Sequence, residues 1–560
     1  DLIVWKYQEW KDNRFWFVIA DNPFIKNDIF VPWKKSKEAK TWNIVGVHVT
    51  KWSWKNPEGT IKEIIWKKWD KKVEINSLII EWWAKLDFPE KVLKYTQKIE
   101  NKILEQEKNK RKNLIKLFTF TIDWEDAKDL DDAISVEKIE HWYKLYVHIA
   151  DVAHYVTEKS VLDIEAYKRA TSVYLVDRVI PMLPEKLSNN LCSLNPNTEK
   201  LTLTCEMIIW NNWAIKSQKV YESIINSDFR LSYKKVDDIL MNNEKLINNN
   251  KLINTLKIAD ELKQKITQYR ESRWVLNFDF PETKIILNKN WDPVDIKEYP
   301  RYNSNKMIEE FMISANEAVS THFSNLPFLY RIHEEPKSDD LLKFQETLNL
   351  FWLKFQFKKA TTKEFSELLK IVWKQDETKK MFLEKMVLRT LTKAIYSKEN
   401  FGHFGLGLSF YSHFTSPIRR YPDLQIHRII KEKLNKNLDE KRLLHYDLIL
   451  DKVSKYTSDK ERKAEKLEYK IRDYFIVQYY KNKIWEEFEW FISWVLLKWF
   501  FVALKDTAEW FVELEKTEFI EPLQEHLDLS TGKKYRLGDS VKVKLIEVDK
   551  VMLRLNFEIL

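Results

Sequence analysis

Seven glycines in 560 residues set the narrowest limit on how this chain can turn. Glycine reaches positive φ and lets two backbones approach closely, so most folds place it at tight turns and strained corners. An ordinary content of about 7% would give roughly 39. Tryptophan departs the other way, with 24, and the two counts together come close to an ordinary glycine content. Either the chain turns by other means, or tryptophan stands where glycine would suit.

At about 150 residues per domain, the length suggests about four domains rather than one. Lys and Arg exceed Asp and Glu by 94 to 85, a formal +9, which mildly favours a polyanionic partner and is equally explained by a solvated surface. The two cysteines, Cys192 and Cys205, have no spacing for a zinc site or a disulfide framework and fit a reducing compartment. No apolar run is long enough to span a bilayer, and the start of the chain lacks the layout of a signal peptide. The expectation is a cytoplasmic protein with no membrane segment.

Residues 1–50 contain NRFWFVIADN and NDIFVPW, short β-type runs in which Phe15 and Phe17 alternate onto one face. A similar rhythm continues through 51–110. From about 113 the pattern becomes mixed: strands such as LFTFTID and YKLYVHIADVAHYV alternate with helices. In one helix Ile308, Phe311, Met312, Ala315 and Val319 recur at helical spacing. Residues 237–272 read as helical and exposed, and 441–482 as a long amphipathic helix leading to a last β segment, 485–560. There is no solenoid-type repeat.

The stretch TFTIDWEDAKDLDDA, 119–133, crowds Asp123, Asp126, Asp129, Asp131 and Asp132 around a turn. Ionised carboxylates this close raise one another's pKa unless cations compensate. Hard oxygen donors without His or Cys suit Mg²⁺ or Mn²⁺, and two such ions about 4 Å apart could activate water and steady the leaving oxygen of a phosphodiester. Taken alone, an Asp-rich loop is more often just a solvated turn, and its spacing is not that of an EF-hand. Further on, HFTSPIRRYPDLQIHR, 413–428, ends in a helix predicted to start near Pro422. Arg419 and Arg420 stand just ahead of it, where guanidinium forks and free N–H groups can hold phosphate.

With these motifs assembled, the chain resembles the catalytic domain of the ribonuclease II and R family. TIDWEDAKDLDDA, YLVDRVIPMLPEKLSNNLCSL (174–194), IEEFMISANEAV, LYRIHEEP (329–336) and HFTSPIRRYPDLQIHR carry the likeness, and GHFGL with HFTSPIRRYPDL favours the ribonuclease R branch. The resemblance implies a multidomain fold: two N-terminal cold-shock OB-type β-barrels (1–50 and 51–112), a mixed α/β RNB catalytic domain with a helical C-terminal part (113–484), and an S1 OB-type β-barrel (485–560). It implies processive 3′-to-5′ hydrolysis of RNA to nucleoside 5′-monophosphates by a monomer using a two-ion Mg²⁺ site, with Mn²⁺ as the alternative ion. The partners implied are single-stranded RNA 3′ ends and structured RNA with a 3′ overhang. By motif, Asp123, Asp129, Asp131 and Asp132 would hold the metals and the attacking water, and Arg419 would steady the scissile phosphate. Tyr174 would pack on the terminal nucleotide, Ser416 and Arg420 would contact RNA, and Glu310, with Glu309 adjacent, would read the ribose. A non-catalytic RNA-binding factor with the same fold is the competing reading, and the intact acidic set argues against it. The written chain begins at Asp1, without an initiator Met or the N-terminal extension and lysine-rich tail that many of these proteins have, so it reads as a candidate truncation with duplex unwinding left open.

The family pattern also bears on the tryptophans. Trp16, Trp42, Trp124, Trp274, Trp490, Trp494 and Trp499 occupy points where such proteins carry glycine. The expectation is a gene in which UGA encodes glycine, written out with a table that reads it as tryptophan; the competing reading is a genuinely tryptophan-rich protein. In the flanks, Phe15, Phe17 and Phe30 fall in runs similar to cold-shock RNA-binding motifs, where aromatics stack on bases, although isolated strand aromatics are commonly core. Phe491, Phe500 and Phe501 are the S1 candidates. Three small barrels around a catalytic domain would form a funnel for single strands.

Overall fold

The computed structural model describes all residues except 1, 10–15, 20–27, 33–34, 37–38, 40–43, 52–56, 67–70, 83, 211–213, 242–246, 279, 281, 351–352, 496–498, 504–508, 514–516, 521–524, 530, 537 and 551. At the N-terminus, β1 (Leu2–Glu9), β2 (Trp16–Ile19), β3 (Ile29–Phe30), β4 (Ile44–Lys51) and β5 (Glu58–Trp66) close into one barrel in the order β1-β2-β3-β5-β4. This corrects the expected pair of barrels: the boundary at 50/51 falls inside a barrel. Closure requires β5 to pair antiparallel with β4 and parallel with β3, so neither half could seal its own edges. Val18, Ile29, Val31, Val45, Val47 and Ile61 fill its interior. Residues beyond it form helices, Lys71–Glu81, Glu90–Lys98 and Glu105–Lys110, because the β rhythm gives way to charged helix formers.

The central domain is built on a seven-stranded sheet. Its strands are β6 (Lys112–Asn113), β7 (Phe120–Asp123), β8 (Asp132–Ile139), β9 (Trp142–Ala150), and, after the hairpin β10 (Val173–Tyr174) and β11 (Val179–Ile180), β12 (Glu199–Ile209), β13 (Ile215–Asn226) and β14 (Phe229–Ser232), in the order β14-β7-β8-β9-β12-β13-β6. Consecutive buried residues in β8, β9 and β12 show that both faces are covered. The helix Asn303–His322 lies on the sheet, burying Ile308, Phe311, Ala315 and Val319 as its spacing predicts, while Met312 is only half-buried and Met307, outside that set, joins the core. Its first N–H groups, at Asn303 and Ser304, donate to the Asp237 carboxylate at 2.7 and 2.8 Å, a charged cap on the positive helix end. The stretch 237–272 is helical as expected, in Tyr233–Leu240 and Asn250–Ser272, but not exposed throughout: Leu252, Leu256, Ala259, Leu262 and Ile266 pack into the main core.

The helix Glu440–Tyr480 has 41 residues, roughly 60 Å at 1.5 Å per residue, and leads to the C-terminal barrel. There the strands 487–495, 499–503, 509–513, 554–559 and 540–549 close in that order, beside a three-stranded sheet, 517–536. Among the described residues no helix is long and apolar enough to cross a membrane.

Backbone conformation bears on the tryptophans directly. Trp274, Trp291 and Trp485 have φ of 64°, 64° and 78°, the left-handed region that bulky side chains enter only under strain. Trp485 is 64% exposed, so burial of its ring does not offset that strain. Beside Trp274 lies Gly407, also at positive φ, where a Cβ would sit 2.6 Å from the carbonyl oxygen of Arg273. Trp16, Trp490, Trp494 and Trp499 are in strands, and Trp42 lies outside the described residues.

Candidate active site

The acidic segment is shaped by the strands it joins. β7 ends at Asp123 and β8 begins at Asp132, and the two strands are antiparallel neighbours, so the sheet brings these carboxylates to one edge. The connection between them is pinned from below. Leu130 is buried; its N–H donates to Ser193 Oγ at 3.1 Å, and Ser193 donates to the carbonyl of Lys128 at 2.8 Å. Asp131 and Leu130 in turn accept from the N–H groups of Ala150 and Leu194 at 2.9 and 3.0 Å. Part of the motif at 174–194 thus holds the acidic loop in shape.

Asp131 is buried. Its Oδ1 accepts the N–H of Ile418 at 2.9 Å, while its buried Oδ2 has no hydrogen-bond partner among the described residues and lies 3.6 Å from Arg419 Nε. Ser416 Oγ accepts from Arg419 Nη2 at 2.9 Å, and the Arg419 carbonyl accepts the N–H of Ser172 at 2.9 Å. The helix after this loop is Tyr421–Leu434, with Pro422 in its first turn. Buried Asp423 organises the loop by accepting from the Ser416 N–H and from Arg420 Nη2, both at 2.8 Å. Tyr174 is held at two ends: its hydroxyl donates to Asp129 Oδ2 at 2.9 Å and its N–H to Glu468 Oε1 at 2.8 Å. Tyr174 is left 41% exposed beside a cavity of about 1750 Å³ that Asp123, Asp126, Asp129, Asp131, Asp132, Ser416, Arg419 and Arg420 line.

The carboxylates are short of positive charge. Burial pushes the Asp131 carboxyl well above its usual range; Arg419 and the Ile418 N–H oppose this, and Asp129 and Asp132 add to it. Burial and then Asp123 push Asp132 up to about 7. Burial also raises Asp123, against the Trp124 N–H and with Asp129. Cations that bind here would therefore release protons. Among the described residues no group of three or more His, Cys, Asp or Glu side chains is gathered closely enough to hold a metal ion alone. Mg²⁺ takes one or two carboxylates and completes its shell with water and substrate phosphate. The all-oxygen donor set and the unpartnered Asp131 Oδ2 fit such an ion.

Glu310 is a correction. It is buried away from the cavity, its Oε2 accepting from Arg270 at 2.6 Å and its Oε1 from Thr267 at 3.2 Å. Glu309, one position earlier and so turned by about 100° on the helix, is exposed and lines the cavity. The stripe Asn305, Ile308, Glu309, Met312, Ile313 and Asn316 shows the facing side. Phe17 pairs with Phe30 across β2 and β3, and Phe30 is half-buried and does not line the cavity; Phe15 lies outside the described residues. Phe491 and Phe500 are buried barrel residues, which removes them as stacking candidates. Glu468 was not legible beforehand: it reaches Tyr174 from 294 positions away. Trp124 lines the cavity too, its ring edge-on to Tyr233 and Tyr299 with centroids 5.1 and 4.5 Å apart.

Residues 111–436 match the RNB domain family and residues 17–89 the cold shock domain family. The chain is similar to ribonuclease R of Mycoplasmopsis pulmonis, 42% identical over 474 residues, covering 83% of this chain and 65% of that protein. With ribonuclease R of Aquifex aeolicus it is 36% identical over 545 residues, 94% of this chain and 76% of that one. It thus spans just under two thirds of the Mycoplasmopsis relative. The solved structure of Mycoplasma genitalium RNase R, apo and in complex with ribose-methylated single-stranded RNA, superposes with a TM-score of 0.94 at 28% identity, covering 100% of this chain and 89% of that one.

Proposed function

Because the chain belongs to the RNB family, in its ribonuclease R branch, we propose that it is a 3′-to-5′ exoribonuclease, hydrolysing RNA processively to nucleoside 5′-monophosphates. The observation that carries the reading is the buried Oδ2 of Asp131, without a hydrogen-bond partner among the described residues and 3.6 Å from Arg419 Nε, in a cavity lined by four further aspartates. Buried polar atoms are normally satisfied, so this one is held ready for a ligand that the chain does not supply.

Asp123, Asp129, Asp131 and Asp132 would hold the divalent ions, Mg²⁺ or alternatively Mn²⁺, which supply a water of lowered pKa and polarise the phosphate. Arg419, oriented by Ser416, meets the charge that develops on the phosphate oxygens, where a preorganised cation acts most strongly. The exposed ring of Tyr174 stacks on the terminal base, and its bond to Asp129 couples that contact to the carboxylates. Glu309, in place of Glu310, accepts from the ribose 2′-OH, a group that DNA lacks. The barrels supply single-stranded binding ahead of the cavity. Substrates are single-stranded 3′ ends and structured RNA with a 3′ overhang, and the protein acts as a monomer. Two free, buried cysteines, Cys192 and Cys205, agree with work in the cytoplasm.

The test is a time course with 5′-labelled RNA carrying a duplex and a single-stranded 3′ tail, in Mg²⁺. Stepwise shortening from the 3′ end supports the reading. Binding without shortening would replace it by the non-catalytic RNA-binding factor.

A further inference from the structure

The cavity does not stop at the carboxylates. Along the helix Asn303–His322, Asn305 lies beside Tyr233, which the charges of Asp123 and Asp132 reach. Asn316 lies eleven positions on, roughly 16 Å at 1.5 Å per residue, and its Nδ2 donates to the Tyr411 hydroxyl at 3.3 Å. Both line the same cavity, with Glu309 between them. Beyond the residue proposed to meet the terminal ribose, the space therefore continues as an arm.

The arm differs from the carboxylate end in charge. Its charged lining residues include Arg331, Lys385 and Arg420. Arg331 pairs with Glu461 at 2.5 Å and Arg420 with Asp423 at 2.8 Å, but both carboxylates lie behind their arginines, outside the cavity lining. Glu465, which does line the cavity, is taken up by Lys393 at 3.2 Å. Arg420 Nε is buried and donates to no acceptor among the described residues. The two histidines here register the same field: burial and then the neighbouring arginines lower His413 far below its usual range, and burial, His333 and Arg331 bring His403 down to about 3.

We propose that this arm is a binding site for the released nucleoside 5′-monophosphate, its phosphate held by Arg331, Lys385 and Arg420 on the way out. The inference rests on the exoribonuclease reading and deepens it. Hydrolysis leaves a phosphate of nearly two negative charges beside Arg419, and a processive enzyme must clear that product while the shortened strand stays bound behind it. A cationic exit beyond the 3′ end does so without passing the product back along the strand. Tyr411, edge-on to the His403 and His413 rings at 5.2 and 5.7 Å, offers an aromatic surface for the nucleoside.

The test is calorimetric titration of adenosine 5′-monophosphate, and separately adenosine, into the full-length Asp131→Asn protein saturated with single-stranded RNA. The monophosphate is expected to bind with the RNA in place, and about tenfold or more tighter than adenosine, the scale of one charge-assisted hydrogen bond. Lys385→Gln should remove much of that preference, and Arg331→Lys, which keeps the charge beside Glu461, should remove part of it with little change in unfolding temperature. Displacement of the RNA by the monophosphate, or equal affinity for adenosine, would overturn the exit site. If wild-type protein fails to shorten RNA while the arm still prefers the monophosphate, the exoribonuclease reading falls and the anion site stands.

Discussion

Two buried carboxylates in the central domain behave in opposite ways. Asp151, at the end of β9, is enclosed by Arg111 Nη2 at 2.7 Å, Lys431 Nζ and the His154 N–H at 3.1 Å. Burial works against its charge, but Lys431 and Arg111 outweigh it and hold the carboxyl far below its usual range. Asp131 is equally hidden, yet burial outweighs Arg419 and the Ile418 N–H, and it ends well above that range. The first has its countercharge in the chain; the second depends on countercharge from solution. A compensated buried carboxylate reads as architecture, and an uncompensated one as a place for a ligand.

The largest break of this comparison is Asp131→Asn. RNA shortening should fall by about a thousandfold or more, the upper range for losing a preorganised charge contact, while RNA affinity holds and the unfolding temperature stays level or rises. A large drop in stability would erase the contrast. Asp151→Asn should do the reverse, costing about 3 kcal/mol, the lower end for breaking a buried ion pair, since Arg111 and Lys431 both keep Glu222; denaturant unfolding reads it, with activity per folded molecule retained.

The pH dependence sharpens the same contrast. For Asp132 the native carboxyl titrates near 7, well above an unfolded aspartate, so the native state binds the extra proton. Stability of metal-free protein should therefore fall as pH rises from about 4 to 7, and added Mg²⁺ should reverse the loss; calorimetry with and without the ion checks this. Asp151, lowered on folding, contributes in the other sense, its stabilisation disappearing only at strongly acid pH.

Smaller effects separate neighbours. Glu309→Gln should weaken the preference for RNA over DNA by about tenfold, the scale of a hydrogen bond to a charged group, in competition assays. Glu310→Gln should leave that preference alone and act through Arg270 on stability. Smallest are the strained tryptophans: replacing Trp274, Trp291 or Trp485 by glycine should each stabilise by about 1 kcal/mol. A mass spectrum of native peptides spanning 116–128 reads the related expectation directly, since tryptophan at 124 would sink the idea of UGA as glycine.

Local order decided much of what could be read beforehand. The acidic run between an alternating strand and its return, the arginine pair ahead of a proline-started helix, and the periodic helix over Asn303–His322 are all set by residues close in the chain, where spacing and propensity act. Strand rhythm says that a segment is β but not which edges must pair to close, so it does not show that the strands of 2–66 form one barrel. Glu310 was preferred over Glu309 for a related reason: motif order cannot tell two adjacent carboxylates apart, whereas helix rotation turns one to the cavity and the other to Arg270.

The sequence by itself determined the chemistry on offer: a carboxylate cluster lacking soft ligands, an arginine loop, and too few glycines for its turns. Tertiary structure alone decided which charges were left uncompensated, for countercharges come from afar. Lys431 reaches Asp151 across 280 positions and Ile418 reaches Asp131 across 287, and such separations are closed only by packing sheet, helices and loops into one core.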